Sequence, residues 1–246
     1  MRLITSETSV LPMVEAVFFD WFNTLADFKP SRQEMYQQAF QNLGIALSTK
    51  DVMRGILRAD QHYFEENDRP RMHSRSHQEQ MEVYLCYPWM ILDEAGTECP
   101  PELIWKVLNI VIEQLKKGST FVLFNDVLSA LTTLKQRNLI LGLLTNATKD
   151  AISRFRYFGL EPHINLVVTP EEVGASKPEP AIFQSALDRA GVEAAEAIHV
   201  GDQYALDVVG ARRAGISPIL IDRFDLYPEV TDCPRIQCLA ELTEYL

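Results

Sequence analysis

Asp20 closes the first apolar run of this chain and opens the string Asp20-Trp21-Phe22-Asn23-Thr24-Leu25. A carboxylate at the tip of a buried strand, beside a tight turn, is placed to act as a nucleophile. Further polar positions follow later apolar runs or lie in the loops between them. They are the pair Thr145-Asn146, Lys177 within Gly174-Ala175-Ser176-Lys177-Pro178, Asp202 after Val200-Gly201, and Asp207 five positions on. Singly, each has an ordinary role. An Asp after a strand caps a helix, Lys-Pro suits a solvated loop, and Asp207 suits a first helical turn. Together in one crevice, Asp20, Asp202 and Asp207 would carry three negative charges, of which Lys177 offsets one. Desolvated like charges that close do not all stay ionised unaided. A divalent cation resolves this, and an Asp-rich set without Cys or His favours Mg²⁺ over zinc.

Such convergence needs strands that end at one edge. Val14 to Phe19 is almost wholly apolar and β-rich, as in a parallel strand covered on both faces. Leu139 to Leu144, Ile164 to Val168, Ala197 to Val200 and Pro218 to Ile221 are alike. Helical patterns lie between them, over Val127 to Arg137, Lys149 to Phe158, Pro180 to Ala190 and Tyr204 to Ala214. This alternation predicts a doubly wound α/β sheet, whose binding crevice lies at the carboxyl ends of the strands. Several helices run into a glycine stop, as at Gly159, Gly191 and Gly215.

The alternation breaks between about Ser31 and Lys117, where the pattern is helical throughout. Met35, Ala39, Phe40 and Leu43 form one stripe, and Val52, Ile56, Leu57 and Phe64 a second. A third helix starts at Met81 and carries Pro88, and a fourth spans Pro101 to Leu115. The predicted organisation is an α/β core, residues 1–28 and 120–246, interrupted by an all-helical unit, residues 29–119. Lys29, Arg32, Phe121 and Phe124 are expected to face the crevice, and Tyr36, Tyr63, Tyr84, Trp89 and Trp105 to fill the core of the helical unit. The tail beyond Ile221 carries no assigned chemistry.

Composition narrows the partners. A net charge of -11 argues against nucleic acid or an anionic membrane surface. No apolar window approaches the ~18 residues of a membrane span. Met1 to Met13 lack the apolar run of a signal peptide, and Cys86, Cys99, Cys233 and Cys238 lack metal-type spacing. Reduced thiols and a cytoplasmic location are the expectation.

The ordered polar positions resemble the four motifs of the haloacid dehalogenase (HAD) superfamily. The first is similar to Asp20-Trp21-Phe22-Asn23-Thr24-Leu25, the second to Leu143-Leu144-Thr145-Asn146, and the third to Ser176-Lys177-Pro178. The fourth is similar to Gly201-Asp202-Gln203-Tyr204-Ala205-Leu206-Asp207, running into Gly210-Ala211. The resemblance covers about Val14 to Ile221. It implies a Rossmann-like core with a helical C1-type cap, acting on a small, anionic substrate. By the same resemblance Asp20, the Phe22 backbone carbonyl and Asp202 bind Mg²⁺, and Asp207 assists through water or orients Lys177. Thr145 and Asn146 hold the phosphoryl oxygens, Lys177 neutralises them, and Asp20 forms an aspartyl-phosphate.

One position departs from the family's phosphatases. They carry a second Asp two residues after the nucleophile, and this chain has Phe22. General acid–base catalysis contributes ~10²–10⁴-fold, so the change bears on the leaving group. Either the leaving group needs no proton, or the acid comes from elsewhere, with the basic run Arg69 to His77 as one source. A third account is carbon–halogen hydrolysis, because the family's dehalogenases carry an aromatic residue here. Asp202 opposes that account: those enzymes work without metal and have Ser-Ser-Asn in place of Gly201-Asp202-Gln203. Phosphoryl hydrolysis is therefore the favoured reading, followed by dehalogenation and then by a non-catalytic binding module.

Overall fold

The structure is a computed structural model that describes residues 13–67, 75–98, 100–118, 120–147, 155 and 157–246. Most of the helix expected over 149–158, most of the basic run 69–77 and the first twelve residues lie outside the described residues.

Six parallel strands form the main sheet. In chain order they are β1 (Ala16–Phe19), β4 (Ile140–Leu144), β5 (Leu166–Val168), β6 (Ala197–Gly201), β7 (Ser217–Ile221) and β8 (Arg235–Ile236). Their spatial order is β5-β4-β1-β6-β7-β8. β1 therefore sits centrally, with Phe19 in register with Leu143 of β4 on one side and Val200 of β6 on the other. The chain winds outward from β1 in one direction and then returns to its other flank. That reversal opens a crevice at the strand ends.

The four residues of β1 are fully buried, which explains their unbroken apolar character. Successive side chains point to opposite faces. Val17 and Phe19 pack with Leu131 and Leu134 of α5 (Val127–Gln136). Ala16 and Phe18 pack with Ile182 and Phe183 of α7 (Pro180–Ala190). A short α6 (Pro170–Val173) precedes α7, and α8 (Val209–Arg213) precedes β7.

Where one continuous helix was expected over Tyr204 to Ala214, a π-helical turn, Tyr204–Val208, leads into α8. The wider turn buries Asp207 and returns it toward β6, a placement that a regular helical pattern does not encode.

The interruption of the core carries its own antiparallel ribbon, which the sequence pattern does not mark. β2 (Ala26–Lys29) pairs with β3 (Thr120–Leu123). The two strands are four residues each, and half-buried side chains weaken their alternation. Between them lie α1 (Arg32–Asn42), α2 (Thr49–Asn67), α3 (His77–Glu94) and α4 (Pro101–Lys116). Ser31 and Ser76 cap α1 and α3 through reciprocal bonds with Glu34 and Glu79, and Pro101 opens α4. α3 continues through Pro88.

The four helices share a core of their own, including Met35, Phe40, Ile56, Ile91 and Val107. Tyr36 belongs to it, with Tyr63 and Tyr84 at its margin. Trp89 and Trp105 do not: they are 50% and 43% exposed on α3 and α4. Helical periodicity places a residue on a face without saying which face is covered, and residue type alone argues that both point inward. Among the described residues no helix is long and apolar enough to cross a membrane.

α2 and α3 approach so closely that a Cβ on Gly55 would lie 2.3 Å from the Ile91 Cα. Backbone cannot yield there as a flexible side chain can. A Gly55→Val variant is therefore expected to lose ~1–3 kcal/mol of stability, the usual cost of overpacking. Urea unfolding followed by circular dichroism reads this. An unchanged midpoint would show that the α2–α3 contact is not close-packed.

Candidate active site

β1 delivers Asp20 to the crevice. Its backbone N–H donates to Val200 O at 2.9 Å, extending the ladder with β6 by one residue. The chain then turns sharply, with Leu25 and Ala26 N–H groups both donating to Trp21 O. Asn23 adopts a left-handed conformation in this turn (φ 57), which Asn tolerates better than most residues. Its side chain donates to Asp202 Oδ2 at 3.0 Å. Arg223 braces the turn from outside, donating twice to Thr24 O and pairing with Asp126.

β4 ends at Thr145-Asn146. Asn146 holds the loop bearing Lys177 from both sides: its amide donates to Lys177 O, and its carbonyl accepts from Lys177 N at 2.7 Å. The Lys177 ammonium thereby enters the crevice, 2.5 Å from Asp20 Oδ1 and 2.6 Å from Asp207 Oδ1. β6 ends at Gly201, where a Cβ would lie 2.1 Å from Asp207 Cγ. Only glycine leaves room for that carboxylate. Asp207 is further held by His199 Nε2 at 2.9 Å and by the Gln203 N–H at 3.0 Å.

The expected site residues Asp20, Thr145, Asn146, Lys177, Asp202 and Asp207 all line one cavity of about 440 Å³, and Phe22 lines it too. One carboxylate oxygen from each of Asp20, Asp202 and Asp207 lies within 4.8 Å of the others. All three residues are buried, as is Lys177. Burial pushes the Asp20 carboxyl up to about 6, although Lys177 pulls the other way. Burial and the neighbouring Asp20 and Asp207 raise Asp202 well above the usual range. Burial opposes the charge on Asp207 too, yet Lys177 and His199 hold it below that range. Lys177 is raised despite burial, because Asp20 and Asp207 flank it. Burial lowers His199, so the ring backing Asp207 is neutral near pH 7. The site thus holds one well-compensated carboxylate, Asp207, and two that are short of positive charge.

The facing wall comes from the helical unit and the ribbon. Arg32 of α1 makes a bidentate pair with Asp60 of α2, at 2.7 and 2.6 Å. Tyr87 of α3 donates to Asp60 Oδ1 at 2.7 Å. The Arg32 guanidinium lies 4.5 Å from the centre of the Phe22 ring. Phe22, Phe28 and Phe121 form a continuous aromatic surface, with ring centres 4.2 to 6.2 Å apart.

Of the residues expected near the hinges, Arg32 and Phe121 line the cavity. Lys29 and Phe124 are not among its lining residues, and Phe124 instead packs under Arg223. Tyr63, expected in the helical core, lines the cavity as well.

His199 and Asp60 were not singled out from the sequence, and Asn23 stood out only as a member of the first motif, not as a partner of Asp202. Asp60 did leave a signal: it falls four residues after Ile56, on the apolar stripe of α2, where an unpaired carboxylate would be costly. His199 left none, because a His inside a buried strand reads as core.

Comparison with known proteins agrees with this geometry. The family model for haloacid dehalogenase-like hydrolases matches residues 14–215. The chain is 29% identical over 234 residues to haloacid dehalogenase-like hydrolase domain-containing protein 3 of Danio rerio, covering 94% of each chain. It is 40% identical over 140 residues to the phosphoserine phosphatase of Thermus thermophilus, covering 56% of this chain and 53% of that one. Among solved structures, a 2-haloacid dehalogenase from Pseudomonas syringae superposes with a TM-score of 0.55 at 24% identity, over 94% of this chain and 97% of that chain. That likeness is one of fold. Motif order, strand-end geometry and the matched span lead to one conclusion: this chain belongs to the haloacid dehalogenase-like hydrolases.

Proposed function

We propose that this hydrolase is a Mg²⁺-dependent phosphohydrolase of small phosphorylated compounds, with Asp20 as the nucleophile and residues 29–119 as a cap over the crevice. The observation that carries the reading is Asp202. It lies beside Asp20, its hydrogen-bond partner is the neutral Asn23, and its carboxyl is raised by burial and then by the negative charge of Asp20 and Asp207. A crevice with that surplus suits a dication and, through it, a phosphate. Asp20, Asp202 and the Phe22 backbone carbonyl would hold the ion directly. Asp207 is engaged by Lys177, His199 and Gln203, which suits it to orienting Lys177. Bound there, Mg²⁺ supplies charge neutralisation to the phosphoryl oxygens and to the carboxylates.

The remaining steps belong to the chain's own residues. Asp20 attacks phosphorus with a carboxylate lone pair as the bond to the leaving-group oxygen breaks. Thr145 and Asn146 orient the phosphoryl oxygens, and Lys177 offsets their charge. Water then attacks the aspartyl-phosphate at phosphorus, returning Asp20 as a carboxylate and releasing inorganic phosphate. The helical wall excludes bulk water while this proceeds.

A second reading, carbon–halogen hydrolysis with an aspartyl ester, is favoured by Phe22 alone. One experiment separates the two. An aryl phosphate is assayed with and without Mg²⁺, beside 2-chloropropionate with halide detection. Phosphate release that EDTA abolishes is the expected result, and halide release that survives EDTA would overturn the proposal.

Three variants sharpen it. Lys177→Met should lower kcat by ~10²–10³-fold, as removal of one donor to a developing charge does elsewhere. Asp202→Asn should abolish the Mg²⁺-induced rise in melting temperature, which at a hundredfold excess over Kd corresponds to about 2.7 kcal/mol. An undiminished rise would remove Asp202 from the metal site. Phe22→Asp should raise turnover of alkyl phosphates, at most by the ~10²–10⁴-fold that a general acid supplies. An unchanged rate would show that the absent donor is not what limits turnover.

A further inference from the structure

The half of the cavity opposite the carboxylates has no role in the chemistry described so far, and its composition is specific. Phe22, Phe28 and Phe121 line it, with Tyr63 and Phe64, themselves an edge-to-face pair with ring centres 5.5 Å apart. Two cations line the cavity among the described residues, Lys177 and Arg32. Lys177 lies between Asp20 and Asp207, and Arg32 is paired at both terminal nitrogens with Asp60. Neither is left over for a second phosphate or a carboxylate on the substrate. The Asp60 pairing also holds the guanidinium as a flat, neutralised plate against Phe22, a surface suited to stacking.

We propose that this wall selects an uncharged aromatic leaving group, so that the substrates are aryl or heteroaryl phosphate monoesters. The inference rests on the phosphohydrolase reading above and names its substrate class. Two independent features agree on it. The first is the aromatic lining of the wall and the charge balance of its described residues. The second is Phe22 itself, which donates no proton. A phenolic oxygen ionises near ~10, as the tyrosine side chain does, and needs an acid far less than an alkoxide. The step balances without one. The Asp20 lone pair forms the bond to phosphorus, and the electrons of the phosphorus–oxygen bond leave on the aryl oxygen. The phenoxide then takes a proton from water. A second water hydrolyses the aspartyl-phosphate, giving inorganic phosphate and restoring Asp20.

The test must separate aromatic recognition from leaving-group acidity. With Mg²⁺ present, kcat/KM is measured for phenyl phosphate, for hexafluoroisopropyl phosphate (an alkyl ester of an alcohol about as acidic as phenol) and for phosphoserine. Phenyl phosphate should exceed the matched alkyl ester by ~10-fold or more, the equivalent of one or two aromatic contacts. Phosphoserine, with its extra charges and poor leaving group, should be the weakest. Phe121→Ala should raise KM for phenyl phosphate by a larger factor than KM for the alkyl ester. Equal kcat/KM for the two matched esters, or a preference for phosphoserine, would overturn the inference while leaving the phosphohydrolase reading intact.

Calorimetry with phenylphosphonate and methylphosphonate, neither of which is hydrolysed, supplies a readout independent of turnover. Tighter binding of phenylphosphonate that Phe121→Ala removes supports the aromatic wall even if no phosphate ester is turned over, in which case the phosphohydrolase reading is what fails. Equal binding of the two phosphonates, or none of either, would overturn the aromatic wall.

Discussion

The Lys177 ammonium, buried between Asp20 and Asp207, is the interaction on which the rest of the site depends. An isolated buried charge is expensive, and removing one partner of such a pair typically costs ~3–5 kcal/mol. Much of the local structure serves that arrangement. Asn146 fixes the backbone that carries Lys177. Gly201 leaves space for the Asp207 carboxylate, and the π-helical turn brings that carboxylate back toward the strand. His199, neutral beneath it, occupies the same oxygen that accepts from Lys177. Asp207 is thereby fixed in place and kept ionised. It holds Lys177 where the ammonium also reaches Asp20.

That arrangement divides the carboxylates by role. Asp207 is fully engaged, whereas Asp20 and Asp202 retain capacity for a further positive charge. The division follows from burial and partners, since all three residues are the same amino acid at nearly equal depth. The opposite wall solves its own charge problem separately. Arg32, Asp60 and Tyr87 close into a compensated cluster, so the described residues of the helical unit present a polar but charge-balanced surface to the crevice. The two groups face one another across the cavity, close enough that Asp60 adds to the negative charge felt by Asp202, and the space between them is where an ion and a substrate would complete the first.

The core was legible in the sequence because its strands are buried on both faces. Nothing but an unbroken apolar run satisfies β1, and the polar residues that follow β1, β4 and β6 mark the crevice. Gly191 and Gly215 close their helices with positive φ, as their positions suggest. What escaped was set by contacts between segments distant in sequence. Asn23 meets Asp202 across 179 positions, and Arg223 reaches Thr24 across 199. Neither spacing leaves a local pattern. The β2–β3 ribbon escaped because four half-buried residues are too few for alternation to stand out. Trp89 and Trp105 show the opposite error: a large aromatic residue argues for burial, and only the packing of α3 and α4 shows that these two remain outward.

Phe22 joins the two systems. A carboxylate at that position would join Asp20, Asp202 and Asp207, whose compensating cation, Lys177, is already shared between Asp20 and Asp207. The Arg32 charge is held by Asp60 and could answer it only by weakening that pair. A ring instead adds no charge, gives the guanidinium a face to rest on, and continues the surface of Phe28 and Phe121. For the phosphate dianion of the proposed reaction, a ring at this position repels less than a carboxylate would, and it supplies no proton. Those two effects pull catalysis in opposite directions for a poor leaving group. They act together for a good one, because a leaving group that departs as an anion gains from a less crowded negative site and loses nothing by the missing acid. The chemistry at position 22 and the charge balance of the facing wall are in this sense one constraint, imposed by how little uncompensated positive charge the described residues bring to the crevice.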